Sequence, residues 1–403
     1  MNGRGSRGLR VLQVVPSFLL GGAEHVGSYL AWAFANDGVV SACAITDGPL
    51  RRWLGEKGVQ CRVFRGERRR WRELLAGVPL LCWFREGLRR RRGGGQGKGA
   101  VLAPVWGSSL RAGCAGWLRS LLDGFAYDVV HVHSVYCAGL IPCAREHTKR
   151  VIFGQHNVLS ERHEREDIDF LMRHLPAVDA VVCPSQASRS DFVATTGYPP
   201  ERTAVIPNPS FLATGERKTL DRIRCIGTAS NLGAAKDVGV LLQAYGELRR
   251  RGLELELRIA GGGPQAVARW RREARRLGLQ PPPRFLGRLD TEREMGQFYE
   301  AIDLLVLPSR TEGFPVVIVE AMSRGIPVVA SDIPALREVL GGAGVLFRTG
   351  DPSALAVAIQ ALASDSSVLL RMRNAGFQRW EQLYKNERIV EAYDTLYRGR
   401  VSQ

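Results

Sequence analysis

The feature that most limits what this chain can become is a short run of Val, Ile and Leu that recurs and is continuous rather than alternating. "YDVVHVHS" (127–134) and "DLLVLPS" (303–309) are two examples. A strand with one wet face alternates apolar and polar residues. A continuous run belongs to a strand covered on both faces, as in a parallel sheet between helical layers. In the first half such runs fall at 9–18, 41–46, 59–64, 127–134, 150–157, 179–185 and 203–207, with helix-like segments between most of them. The polar stretch 208–222 interrupts the pattern. It then restarts at 223–230, 255–263, 283–288, 303–309, 326–332 and 344–347. Helices are expected between these runs at 236–251, 265–277, 291–301, 315–323 and 334–340, and the tail from 352 to about 398 reads as helical. The fold class is therefore α/β, with two successive doubly wound, Rossmann-like domains.

A length of 403 residues exceeds one ordinary core and fits two domains. The first is placed at 1–212 with a basic insert at about 65–120, the second at 213–385, and a C-terminal helix at 386–403 is expected to return to the first domain. Hydrophobic residues at 45% and charged residues at 24% indicate a globular, soluble chain. The eight cysteines form neither a CxxC pattern nor a Cys/His cluster with zinc spacing. Several lie inside apolar runs such as "AVVCPS" and "RIRCIG", so they are expected to be buried, reduced thiols in a cytoplasmic protein. No apolar run approaches the ~20 residues that span a bilayer. "RGLRVLQVVPSFLLGG" opens like a signal peptide, but Gln13 and Pro16 interrupt it and no clear cleavage site follows, so it is read as the first strand.

The formal net charge of +16 is unevenly spread. Segments 65–74 and 85–99 are Arg-rich, and "LLAGVPLLCWF" lies between them. Basic residues interleaved with Leu, Trp and Phe suit an anionic membrane surface. A solvated Arg-rich loop is the plain alternative, and composition leaves both open. No recognisable nucleic-acid module accompanies the charge, so nucleic acid is not expected as a partner.

In open α/β sheets ligands bind beyond the carboxyl ends of the strands. Gly21 and Gly22 follow the first strand and precede a helix. They suit close backbone approach to an anion, or a plain βα turn. Lys236 follows the run 223–230 at the start of a predicted helix, where it can reach a phosphate or simply sit on the surface. "IAGGGP", with Gly262 at its centre, ends another strand. The sharpest signal is "SRTEGFPVVIVEAMSRGIPVVASD" (309–332). Pro315 suits a first helical turn, so the N–H groups around Gly313 and Phe314 would face a ligand. Glu312 lies beside them and Glu320 sits on the helix among Val316, Val317, Ile318, Val319 and Ala321. Carboxylates accept hydroxyls in pairs, which suits a sugar or a ribose. His156 ends a strand, where it is structural or touches substrate. His131 and His133 are read as facing opposite sides of their sheet, and so as unable to share a metal. No acid cluster has metal-site spacing; "DID" (167–169) lies in a helix-like stretch. Neither a cofactor nor an essential divalent ion is expected.

At these residues the chain resembles a family-4 retaining glycosyltransferase of the two-Rossmann GT-B type. The resemblance is strongest over 223–347. It rests on the Glu-x7-Glu pair Glu312/Glu320, on "IAGGGP", "FLGR", "DLLVLPS" and "GVLF" in order, and on "GGAE" and "VIPNP" in the first half. It implies transfer of a hexose-type sugar, with retention, from a nucleotide-diphosphate donor to a glycan or lipid-linked acceptor in surface polysaccharide or glycolipid synthesis. It implies that Glu312 contacts the donor sugar beside Gly313, Phe314 and Pro315, that Glu320 binds the ribose and that Lys236 binds the diphosphate. Gly287, Arg288 and Leu289 would lie near the base, Gly22 near the phosphate, and His156 near sugar and acceptor. The insert at 65–98 would rest on the inner face of the cell membrane.

Two departures from the family pattern stand out. Thr228 occupies the place after Gly227 where the family often carries Arg, and "IPNPS" replaces the usual "IPNG". A sugar-nucleotide epimerase of the same architecture, or a noncatalytic nucleotide-sugar binder, are the alternative readings.

Overall fold

The structure, a computed structural model, describes residues 8–17, 22–35, 39–64, 108–212, 215–217 and 222–400, without the side chains of 108–113 and 162. Gly21, Cys82 and the basic segments 65–74 and 85–99 lie outside the described residues.

The strands form two all-parallel sheets. The first holds β1 (Val11–Ser17), β2 (Ala42–Thr46), β3 (Cys61–Val63), β4 (Val129–His133), β5 (Arg150–Gly154), β6 (Ala180–Cys183) and β7 (Thr203–Val205) in the order β3-β2-β1-β4-β5-β6-β7. The second holds β8 (Cys225–Ala229), β9 (Glu256–Ala260), β10 (Arg284–Gly287), β11 (Leu304–Leu307), β12 (Val328–Ser331) and β13 (Val345–Phe347) in the order β10-β9-β8-β11-β12-β13. Each strand falls inside one of the runs read from the sequence. In both sheets the chain walks outward from the first strand, then returns to its other side. The switch points lie between β1 and β4 and between β8 and β11, and this is where such sheets open a crevice.

Both faces of each sheet are covered. Leu12, Val14, Val130 and Phe153 pack on one side of the first sheet. Val11, Leu30, Val129 and Ile152 pack on the other, against Ile389, Tyr393 and Tyr397 of the helix Asn386–Tyr397. The tail is thus not one helix but three: Pro352–Ser364, Ser366–Leu383 and Asn386–Tyr397. The first break is written in Asp365, an extended residue whose carboxylate accepts from the N–H groups of Ser367 and Val368. The seven described cysteines are free thiols, and all but the half-buried Cys61 are buried.

Two predicted helix starts differ from the structure. Lys236 does not begin a helix. It closes a short 3-10 turn, Ala234–Lys236, and the helix Val238–Arg250 follows Asp237, whose φ of 43° is left-handed. Pro315 is not in the first turn but caps the helix Val316–Ser323 from outside.

The lobes touch beside the crevice. The Ser185 hydroxyl donates to the Gly313 carbonyl at 2.8 Å. The Glu338 carboxylate accepts from the N–H groups of Gln186 and Ala187 at 2.7 and 3.0 Å. An acid from the second lobe thus caps the helix Gln186–Thr196 of the first, an arrangement that favours the carboxylate through the free N–H groups and the helix dipole. Asn386 holds the linker by accepting from Ser210 N at 3.0 Å and donating to Ser210 O at 2.7 Å.

Candidate active site

A cavity of about 1550 Å3 opens between the lobes at the carboxyl ends of the strands. Its second-lobe wall carries Ser230 and Asn231 after β8, Gly261–Gly263 after β9, Arg288 and Leu289 after β10, and Glu320. Its first-lobe wall carries Gly22, His25, the turn and helix from Asp47 to Trp53, and Phe211. The Trp53 indole N–H crosses the gap and donates to Glu292 at 3.0 Å. The Gly-rich turn has a strict steric reason. Gly261 has a φ of +98°, and a Cβ there would lie 1.8 Å from the Ser230 carbonyl oxygen. Only a bare backbone lets β9 turn so close to β8 and leaves the start of the helix Pro264–Arg276 facing the cavity.

Glu320 is buried at the cavity wall. Its two oxygens accept from the hydroxyls of Ser210 at 2.9 Å and Tyr299 at 2.8 Å. Burial raises its pKa above the usual carboxylate range, opposed by those hydroxyls and by Arg324. A carboxylate has about four acceptor positions. Two are taken, which leaves two for a vicinal diol.

Glu312 and Lys236 form a second group. Lys236 Nζ lies 2.6 Å from Glu312 Oε1, and both side chains are largely buried. The Ser309 hydroxyl adds a bond to the same oxygen at 2.7 Å. Gly313, next in the chain, sits against the first lobe. A Cβ there would lie 2.4 Å from the His156 carbonyl oxygen, so a glycine is required for this contact. Phe314 is buried against Tyr384.

Of the residues singled out in the sequence, Gly22, Gly262, Arg288, Leu289 and Glu320 line the cavity. Lys236, Glu312, Gly313 and His156 cluster at the lobe junction instead. Gly287, Phe314 and Pro315 are not among the lining residues. Thr228 lies within β8, is buried and is not among the residues that line the cavity. Two other arginines could take the place of the arginine that Thr228 replaces: Arg310 pairs with Asp237 and Arg288 with Asp290, each at 2.7 Å, and of the two only Arg288 lines the cavity.

His131 and His133 share a face, because a spacing of two returns a strand to the same side. Their rings are 3.9 Å apart. They belong to a buried polar chain that the sequence did not announce. Tyr397 Oη bonds to His131 Nδ1 at 2.8 Å and to Gln13 Nε2 at 3.1 Å. Gln13 Oε1 bonds to His133 Nε2 at 2.8 Å, and His133 Nδ1 to His156 Nε2 at 2.9 Å. Burial lowers the pKa of all three rings, that of His156 to about 4 despite the opposing influence of Asn208. Among the described residues no group of three or more His, Cys, Asp or Glu side chains is placed to hold a metal ion.

With this geometry in view, comparison with known proteins is decisive for the family. The family model for glycosyltransferase family 4 matches residues 49–209, and that for glycosyl transferases group 1 matches residues 222–365. The two matches lie on either side of the linker, one in each lobe. The chain belongs to the family-4 glycosyltransferases. It is 30% identical over 237 residues to an exopolysaccharide phosphotransferase of Streptomyces coelicolor, covering 58% of this chain and 24% of that protein. It is 27% identical over 310 residues to a D-inositol 3-phosphate glycosyltransferase of Corynebacterium urealyticum, covering 68% and 72%. Anabaena HepE, crystallised with UDP-glucose, superposes with a TM-score of 0.73 at 21% identity over 96% of this chain and all of that one. The fold of this glycosyltransferase is thus GT-B. Nothing in the sequence pattern of this family member pointed to the wall from Asp47 to Trp53, to Ser210 or to Tyr299. They reach the site through tertiary placement alone.

Proposed function

We propose that this glycosyltransferase moves a hexose-type sugar, with retention and without an essential metal ion, from a nucleotide-diphosphate donor to a glycan or lipid-linked acceptor. The observation that carries this reading is the cavity wall on which a bare glycine turn, Arg288 and a hydroxyl-bonded Glu320 stand together. The base would lie at Arg288 and Leu289 and the ribose diol on Glu320. The diphosphate would draw Lys236 away from Glu312, leaving that carboxylate to the donor sugar. As the sugar–phosphate bond breaks, charge grows on the departing diphosphate, and Lys236 with nearby backbone N–H groups would stabilise it. Among the described residues none is assigned as a covalent nucleophile: Glu320 is held by Ser210 and Tyr299, and Glu312 is given to the hydroxyls of the donor sugar. Front-face attack is therefore the favoured route, with the leaving phosphate taking the acceptor's proton.

The activities of these relatives, an exopolysaccharide phosphotransferase and a D-inositol 3-phosphate glycosyltransferase, support an acceptor in surface polysaccharide or glycolipid synthesis. Binding of UDP-glucose by HepE supports a nucleotide-sugar donor. Among the described residues no single helix is long and apolar enough to cross a membrane. A peripheral position on the inner face of the membrane, through the basic insert at 65–98, completes the proposal. Turnover of a panel of UDP-, GDP- and ADP-sugars, with the anomeric configuration of the product read by NMR, tests it. Release of nucleotide with an α-linked product from an α-linked donor is expected; an inverted product, or no turnover with any donor, would refute it.

A further inference from the structure

The departure "IPNPS" (206–210) carries an inference that rests on the reading above and deepens it. Its last residue, Ser210, is buried at the linker. The Ser210 hydroxyl accepts from the N–H of Leu212 at 3.0 Å and donates to Glu320 Oε1 at 2.9 Å. A hydroxyl has one proton, so that proton is committed to the acid. The backbone of Ser210 is gripped as closely. Asn386 accepts from its N–H at 3.0 Å and donates to its carbonyl at 2.7 Å. One side-chain amide thus fixes both backbone groups of one residue, and Pro209 before it has a ring-locked φ.

Asn386 does not line the cavity. It opens the helix Asn386–Tyr397, whose Ile389, Tyr393 and Tyr397 pack on the first sheet. Its side chain also hydrogen-bonds to Tyr29, on the first-lobe helix Gly22–Ala33. Glu320 belongs to the second lobe, and Tyr299 holds its other oxygen there. The acid is therefore clamped from two sides, by its own lobe through Tyr299 and by the first lobe through Asn386 and Ser210. A carboxylate fixed by a hydroxyl on each oxygen cannot turn about its terminal bond without losing both. The directions of its remaining acceptor positions are then set.

We propose that Ser210 and Asn386 are positioning residues for the donor: Asn386 aims Ser210, Ser210 aims Glu320, and Glu320 meets the two ribose hydroxyls of a nucleoside diphosphate. A residue outside the cavity, on the returning C-terminal helix, thereby sets how well the enzyme tells a ribose from a sugar lacking that diol. Packing alone has a different signature, since a loosened linker weakens every nucleotide alike.

The test compares UDP, GDP and ADP with their 2′,3′-dideoxy forms by calorimetric titration. For the tightest of the three, the wild-type protein is expected to favour the ribose form by about 10- to 100-fold, the worth of hydrogen bonds to a charged group. In Ser210→Ala and in Asn386→Ala that preference is expected to fall to about threefold or less, through weaker binding of the ribose form alone. Ser210→Thr keeps the hydroxyl and is expected to restore it. A preference unchanged in Asn386→Ala, or equal weakening of both forms, would overturn the proposal. A second arm uses no nucleotide. In urea melts, the double variant Asn386→Ala/Glu320→Gln is expected to lose less stability than the two single variants summed, because the second change breaks a link already broken. Additive losses would equally overturn the proposal. No binding of any nucleotide to the wild type would count against the nucleotide-sugar reading itself, and the melts would then decide whether Asn386 and Glu320 are linked.

Discussion

At the scale of single residues, three positions are separable by experiment. Glu320 has two roles, since it ties the linker through Ser210 and offers its remaining lone pairs to the cavity. Glu320→Gln keeps the shape and one acceptor oxygen. It should weaken donor binding by about 10- to 100-fold, ~1–3 kcal/mol, with little change in folding. Calorimetric titration of the donor against both proteins checks this. Lys236→Met removes the cation from the leaving group and should lower kcat about 100-fold or more, ~2.7 kcal/mol, in steady-state assays. In Gly313→Ala the new methyl meets the His156 carbonyl at 2.4 Å. The lobe contact must shift, and activity should fall together with ~1–3 kcal/mol of stability in a denaturant melt. Glu312, Glu320 and Lys236 could be singled out in the sequence because they are charged residues beside or within runs otherwise built for burial, and of the three only Glu320 lines the cavity. Their partners could not be. Ser210, Tyr299 and Ser309 are ordinary residues whose role is fixed only by what the fold sets beside them.

At the scale of elements, the central strands such as β1, β4, β11 and β12 were visible as continuous apolar runs, because a sheet covered on both faces leaves them no room for alternation, whereas β3, β9 and β10 carry charged residues and alternate in burial. Helix ends were less visible. The left-handed Asp237 delays a helix that the pattern begins at Lys236, and one capping aspartate, Asp365, cuts the apparently continuous tail. The histidine pair on β4 was misplaced by a face, and with it the chain to the helix Asn386–Tyr397. That chain has a measurable consequence. The three buried rings take up protons only well below the ordinary 6.5, His156 near 4, whereas the unfolded chain takes them up around 6.5. The unfolded state therefore binds more protons as pH falls. Stability should be full above pH 6.5 and drain away between there and about 4, at up to ~4 kcal/mol per pH unit for three protons. Urea melts across that window check the slope, and His133→Gln should reduce it by about a third. A slope unchanged in the variant would place the titration elsewhere.

At the scale of the whole molecule, two parallel sheets face one another through their strand ends, and the contacts at Ser185–Gly313, Glu338 and Trp53–Glu292 hold the crevice between them. The two-lobed plan could be read from the restart of the apolar pattern after the linker. The extent of the crevice could not, since its first-lobe wall is formed by residues with no common motif. The Arg-rich, Trp-containing segment 65–98 adds a prediction of its own. Neutralising Arg89, Arg90, Arg91 and Arg92 should release the protein from anionic lipid vesicles in a sedimentation assay, and unchanged sedimentation would withdraw the membrane as a partner. The central claim is that the crevice grips an activated sugar through a nucleoside diphosphate. Thermal unfolding of the wild-type protein with a panel of nucleotide-diphosphate sugars tests it most directly. At about 100 times its Kd a true donor adds ~2.7 kcal/mol to the folded state and raises Tm by several degrees. The account predicts such a rise with at least one donor and its loss in Glu320→Gln; no rise with any of them would contradict it.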